Sequence, residues 1–371
     1  MAVNTEKPAP GRRRRLKLAA GLTAGAVLVA GGLFWASGGW DRLRHDGALD
    51  SACDGTLAAE PLRELVGGAE VTAGIRRGAD GSWWQCRVGE ADEDRDGRID
   101  LRVTVSGAGG RSADVEADRT DAPLGHGWTG GFAYDPDRVS GDMGDASASV
   151  LLACAGKPGE GLVAEVRART DRLDFGRPEE RARLGAVLTG TATAYARQQG
   201  CRVAEGGPLR EVGASVSAWD HKPFAAVSGG CAGILDARTA ARWGVRTAVE
   251  TAAGPKPREG CVLGGLRGAP LYTFTASYGP ALDEGLRDRL ESLPDRPDAD
   301  RPDGRYALWA RCHDAVRRVA YDVYAETGGR GTSPLALDHP GLRAALQRFA
   351  DRSAKAHGCD RPGTARVYDT D

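Results

Sequence analysis

Cys53-Asp54-Gly55-Thr56-Leu57 returns 178 residues later (231 − 53) as Cys231-Ala232-Gly233-Ile234-Leu235. Each stretch opens a set of four cysteines: Cys53, Cys86, Cys154 and Cys201, then Cys231, Cys261, Cys312 and Cys359. The last two of each set are equally spaced, 201 − 154 = 47 and 359 − 312 = 47. Leu184 and Leu188 precede Cys201 as Leu342 and Leu346 precede Cys359, by 17 and 13 residues. A duplicated unit explains this register. Two copies of one fold bring equivalent cysteines together, so both copies share one pairing. Local structure then selects Cys53 with Cys86, Cys154 with Cys201, Cys231 with Cys261, and Cys312 with Cys359. In each copy one bond ties a helix to the hairpin on which it lies, and the other fixes a final amphipathic helix to a strand end.

All eight cysteines follow a single uncharged run, Leu18 to Ala36, and none precedes it. Disulfides persist in oxidising compartments, whereas spacings of 30 residues or more do not suit a zinc knuckle. The run has 19 residues, enough to cross a hydrocarbon core of about 30 Å as a helix. Arg12 to Arg15 and Lys17 stand before it, and Phe34, Trp35 and Trp40 stand at its far end. The basic side of such a span stays in the cytoplasm. The expected organisation is a basic cytoplasmic tail (1–17), a transmembrane helix (18–37), a stalk (38–50), ectodomain copies at 51–205 and 206–360, and a disordered tail (361–371). A cleaved signal peptide is the alternative for the apolar run, but Phe34-Trp35-Ala36 makes a poor cleavage site.

The charge distribution narrows the partners. The chain carries −1 overall, and residues 1–17 carry +5, so the remainder carries −6. An acidic ectodomain argues against nucleic acid, which needs a basic face. Arginine outnumbers lysine 44 to 6, which reads as a genomic bias and gives single arginines little weight.

Periodicity supplies the elements. Leu57, Leu62, Leu65 and Val66 space as a helix that Gly67-Gly68 stops. Ser82–Gly89 and Arg98–Ser106 read as a hairpin, with Ile99, Leu101, Val103 and Val105 alternating as one face of a strand. Residues 107–146, rich in Gly and Asp, read as a long surface loop. Strands follow near 150–154 and 163–169, then a helix over 178–199. The second copy runs in the same order: a helix over 236–249, strands near 261–266 and 271–277, an inserted acidic helix over 280–293, strands near 306–312 and 318–326, and a helix over 341–357. The fold class is α+β, with each copy a small antiparallel sheet carrying packed helices.

Two stretches invite chemistry. Asp92-Glu93-Asp94-Arg95-Asp96-Gly97-Arg98-Ile99-Asp100 places Asp92, Asp94, Asp96 and Asp100 where a calcium loop places oxygens, with Gly97 at the bend. Its twelfth position is Val103 instead of Glu, its flanks are strands, and the second copy has no counterpart. A solvated acidic turn fits the same residues, so the expected cofactor is none, with calcium as the candidate. In Leu124-Gly125-His126-Gly127-Trp128-Thr129-Gly130-Gly131-Phe132-Ala133-Tyr134, the rings of Trp128, Phe132 and Tyr134 either stack on a sugar or peptide or tuck back onto the domain. Nucleophile-elbow, zincin, P-loop and dinucleotide patterns are absent. Asp220-His221 and His313-Asp314 are acid–base neighbours without a nucleophile motif.

The basic tail, the weak apolar anchor, the Cys-x-Gly-x-Leu openings and the Leu-Gly-x-Gly-x-x-Gly run from Leu124 to Gly130 resemble uncharacterised single-pass membrane proteins of actinobacteria with Cys-rich ectodomains. No activity is established for that group, so the resemblance implies location and architecture only. The expected function is non-catalytic: binding an envelope protein or glycan from a membrane-anchored module. An envelope hydrolase with dispersed catalytic residues is the first alternative. An accessory part of an envelope signalling or secretion complex is the second.

Overall fold

The computed structural model describes residues 48–67, 69–90, 99–107, 121–135, 144–155, 161–170, 173–217, 220–279, 304–313, 318–326 and 337–363. The expected span at 18–37, most of the acidic turn, the expected helix at 280–293 and the tail from 364 lie outside them. Among the described residues no helix is long and apolar enough to cross a membrane. Ala52–Asp371 forms one compact unit holding two antiparallel sheets and four disulfides.

The first half opens with a tight turn at Ala52–Gly55, where Cys53 and Asp54 take φ of 55° and 61°, and continues into helix α1 (Ala59–Val66). Gly67, at φ +62° with open space where a side chain would stand, ends that helix. Seven strands follow: β1 (Val71–Arg77), β2 (Trp83–Glu90), β3 (Asp100–Gly107), β4 (Ala122–Gly125), β5 (Trp128–Asp135), β6 (Gly144–Ala153) and β7 (Gly161–Thr170). They form one sheet in the order β1-β2-β3-β7-β6-β5-β4. Alternation assigns the faces: Trp84, Cys86 and Val88 of β2 are buried with Leu101, Val103 and Val105 of β3 and Ala164, Val166 and Ala168 of β7. Helix α2 (Pro178–Gln198) packs on β3, β6 and β7, burying Leu184, Val187, Leu188, Thr191 and Ala192. Each such Val or Leu contributes about 1.5–3 kcal/mol when fully buried.

The second half holds the other antiparallel sheet. Its elements are β8 (Lys222–Pro223), helix α3 (Ala237–Arg242), β9 (Thr247–Glu250), β10 (Arg258–Gly264), β11 (Pro270–Tyr278), β12 (Tyr306–Arg311), β13 (Arg318–Ala325) and helix α4 (His339–Ala356). The sheet order is β12-β13-β11-β10-β9-β8. With the additional edge strands β4, β5 and β8 set aside, β1-β2-β3-β7-β6 and β9-β10-β11-β13-β12 are the same arrangement. The register agrees along the row of the second cysteine, although a bulge at Leu263/Gly264 interrupts β10–β11 and has no counterpart in β2–β3. Cys86 pairs across to Val103, Val166 and Ala148, and Cys261 pairs across to Phe274, Val323 and Tyr306. Cys154 stands six residues after Ala148, as Cys312 stands six after Tyr306.

Two expectations are corrected. The Gly-rich part of 107–146 is not a loop throughout, since Ala122–Gly125 and Trp128–Asp135 are strands. Its glycines serve close approach: a Cβ on Gly130 would stand 2.5 Å from the Ser149 carbonyl and from Leu124. The helix over 236–249 stops at Arg242, because Gly244 turns the chain at φ 73° and β-branched residues then enter β9. The segment after Cys201 contacts the first half at several points. Val203 bridges to Cys154 and the Gly207 amide donates to the His126 carbonyl at 2.7 Å. Ser215 both accepts from and donates to the Tyr134 backbone, at 3.0 and 2.8 Å.

The halves share core. Leu151 and Val163, on the outer face of β6 and β7, are buried in the hydrophobic cluster of the second half. Beside them the Gly130 amide donates to the Pro255 carbonyl at 3.3 Å. Lys256, 2% exposed, donates to the Asp121 carbonyl at 3.1 Å, to the Ala252 carbonyl at 3.5 Å and to the Thr251 hydroxyl. Burial lowers the Lys256 ammonium to about 8, against the attraction of Glu259, Asp121 and Glu250.

Candidate functional site

The eight cysteines form Cys53–Cys86, Cys154–Cys201, Cys231–Cys261 and Cys312–Cys359, leaving no free thiol. Asp92, Asp94 and Asp96 lie outside the described residues. Asp100 opens β3 and accepts from two guanidinium groups, Arg87 at 3.1 and 3.5 Å and Arg102 at 3.3 and 2.6 Å. Partial burial pushes its carboxyl up, but the hydrogen bonds and charges of Arg102 and Arg87 outweigh this and hold it below the usual value. Val103, at the twelfth position of the candidate calcium loop, is fully buried. Among the described residues no cluster of His, Cys, Asp and Glu suits a metal ion.

Trp128, Phe132 and Tyr134 stand on β5. Trp128 and Phe132 are buried. The Trp128 indole donates to the Gly207 carbonyl at 3.0 Å, and Phe132 and Tyr134 place their rings 6.3 and 5.9 Å from that of Phe175. Trp128 and Phe132 thus belong to the first half's core under the 203–215 segment, and Tyr134 is half-buried beside them.

A polar cluster missed by the sequence reading lies beneath α4. Ser353 and His357, one turn apart, both reach Glu259 of β10: the Ser353 hydroxyl donates to Oε2 at 2.8 Å, and His357 Nε2 lies 2.8 Å from Oε1. The Tyr278 hydroxyl bonds to Ser353, and the Tyr278 ring stacks on His357 at 3.7 Å. Burial would raise the Glu259 carboxyl, but the His357 hydrogen bond and attraction, with the Ser353 bond, hold it low. Serine, histidine and glutamate meet here, but in an order unsuited to nucleophilic catalysis. The serine proton points at the carboxylate and not at an imidazole base, and Ser353 is 1% exposed. Glu250 is a second buried carboxylate, accepting from the Ser228 and Cys231 amides at 2.7 and 2.8 Å and from Lys222 at 3.2 Å. Both are framework. Of the acid–base neighbours seen in sequence, His313 pairs with Asp360 at 2.8 Å on the surface.

The outer face of the first sheet has a different character. Arg87, Arg102 and Arg167 are direct cross-strand neighbours on β2, β3 and β7. Arg102 and Arg87 share Asp100, and Arg167 Nε donates to Glu165 at 2.9 Å. The arginines are 53%, 43% and 42% exposed, whereas Asp100 and Glu165 are 24% and 12% exposed. What faces solvent is therefore guanidinium. Sequence alone shows each arginine at an outward position of an alternating strand, but only the register shows that the three stand in one row.

No protein-family model, curated protein or solved structure matches the chain.

Proposed function

We propose that the chain is a membrane-anchored extracytoplasmic protein, held by residues 18–37 with the N-terminus in the cytoplasm. Its disulfide-stapled ectodomain arose by internal duplication and acts by binding a partner or glycan at the cell envelope. The observation that carries this reading is the complete pairing of eight cysteines, all of which follow the uncharged run. A chain with no free thiol and two disulfides in each half suits an oxidising compartment. Matching strand order and register in the two halves support duplication. Burial of the Ser353–Glu259–His357 cluster favours binding over hydrolysis.

Topology is the test. A single cysteine introduced at position 5 of the full chain should resist a membrane-impermeant maleimide in intact cells and label after permeabilisation. Labelling in intact cells would reverse the orientation, and recovery of the ectodomain from the medium would replace the anchor with a cleaved leader.

A further inference from the structure

We propose that the outer face of the first sheet binds a phosphate-bearing polymer through the row Arg87–Arg102–Arg167. This rests on the reading of the protein as a binding module and names its ligand class. Like charges directly opposite one another on neighbouring strands destabilise a sheet, so a row of three arginines calls for a reason. The scaffold does not supply one. With Cys86 aligned on Cys261, the same row in the second half is Val262, Thr273 and Tyr324, on strands of the same order. Nor is the row a by-product of a basic domain, since everything after residue 17 carries −6 (−1 − 5).

Asp100 and Glu165 hold the row from within the face. Among the side chains described there, Arg76, Arg87, Arg102, Arg167 and Arg169 outnumber Asp100, Asp145 and Glu165. The carboxylates also lie deeper than the arginines. Neighbouring strands stand about 4.8 Å apart, so the row presents guanidinium forks at that interval over three strands. A guanidinium fork matches phosphate oxygens in two-point contact. Thr72, Thr104 and Ser147, on the same face, add hydroxyls beside the row. Arg87 and Arg102 each turn their Nε–Nη2 edge to Asp100, so a phosphate would meet their other edge, Nη1–Nη2, while Asp100 keeps its inner bonds. A repeating polyanion suits the row better than one small anion, because the charges are spread along it.

The full chain in detergent micelles, titrated with short-chain inorganic polyphosphate, tests the assignment. Binding should weaken as salt rises. Arg87→Gln/Arg102→Gln/Arg167→Gln should lose about tenfold or more in affinity, since hydrogen bonds to charged groups are the strong ones. Arg238→Gln/Arg246→Gln/Arg311→Gln removes the same charge from exposed positions of the second half and should change affinity less than about twofold by screened long-range attraction alone. Equal loss in both triples would reduce the effect to diffuse charge and overturn the site. Equal affinity for polygalacturonate would overturn the phosphate class, and binding only to phosphatidylglycerol vesicles would replace the polymer with a membrane surface. Should the triple variant unfold, Arg102→Lys decides, because it keeps the charge and loses the fork: undiminished binding there overturns the proposal. Absence of any polyphosphate binding by the unmodified chain also sinks it. The topology test judges the module reading separately.

Discussion

Trp84 and Glu259 stand at corresponding places in the two halves, each two residues before a disulfide-bonded cysteine, Cys86 on β2 and Cys261 on β10. The residues facing them, Tyr195 and Ser353, each stand six before the final cysteine of their half. In the first half this pair is two rings 5.0 Å apart. In the second it is a hydrogen bond of 2.8 Å, extended by His357 and Tyr278. The scaffold therefore specifies strand order, register and disulfides, and leaves open how the gap between sheet and helix is filled. Apolar filling needs only shape. Polar filling needs every group partnered, and it brings an acid-linked pH dependence that the Trp84–Tyr195 pair lacks.

The strongest way to break the comparison is through the bonds common to both halves. Cys154–Cys201 and Cys312–Cys359 close loops of equal length, 47 residues. In the chain-entropy account each contributes roughly 4 kcal/mol. Cys154→Ala/Cys201→Ala and Cys312→Ala/Cys359→Ala should thus lower the urea-unfolding free energy by similar amounts. Losses differing by more than about 2 kcal/mol would show that the two bonds act through native-state packing and not loop closure.

Lys256 sharpens the difference. Its ammonium falls to about 8 in the folded chain, from an ordinary value of 10.5. Between those values the unfolded chain binds more protons, so stability rises with pH across the window and is lost as pH falls towards 8. The change amounts to about 2–3 kcal/mol over the window. Stability measured at pH 8 and pH 10 should show this rise in the parent and a flatter profile in Lys256→Met. A rise surviving intact in the variant would move the effect to another group.

Glu259→Gln addresses the pair itself. The folded carboxyl is held low, so its contribution is complete above the unfolded value of about 4.3 and is lost as pH falls through the folded one. The variant should lose about 1–3 kcal/mol at pH 7 through a weakened buried polar set, and should lack the parent's acid-linked decline from this site. Trp84→Phe in the first half should show no such pH component. Parallel acid profiles for the parent and Glu259→Gln would mean that the cluster is held by packing alone.

Cysteine spacing made the disulfide plan legible, and alternation in Ile99, Leu101, Val103 and Val105 made β3 legible. β1 escaped because Val71–Arg77 is largely exposed along an edge and shows no buried alternation. β4 and β5 escaped because Gly130 and Gly131 serve as close-approach positions there, and composition cannot tell these from loop glycines. The Glu259 cluster and the arginine row were illegible for a related reason. Each is assembled by register across strands or by a helix lying on a sheet, and no local window contains it.

The smallest expected effect concerns the acidic stretch present only in the first half. Calcium at Asp92–Asp100 would need the carboxylate of Asp100 and an oxygen at position 12. Asp100 already accepts from Arg87 and Arg102, and position 12 is Val103 in the core. Capture of Asp100 by Ca²⁺ would leave two cross-strand guanidinium groups facing one another without it. Melting curves in excess Ca²⁺ and in chelator should therefore coincide for the parent, and Asp94→Ala/Asp96→Ala should leave them coincident. A Ca²⁺-dependent rise in Tm that this variant abolishes would overturn that expectation.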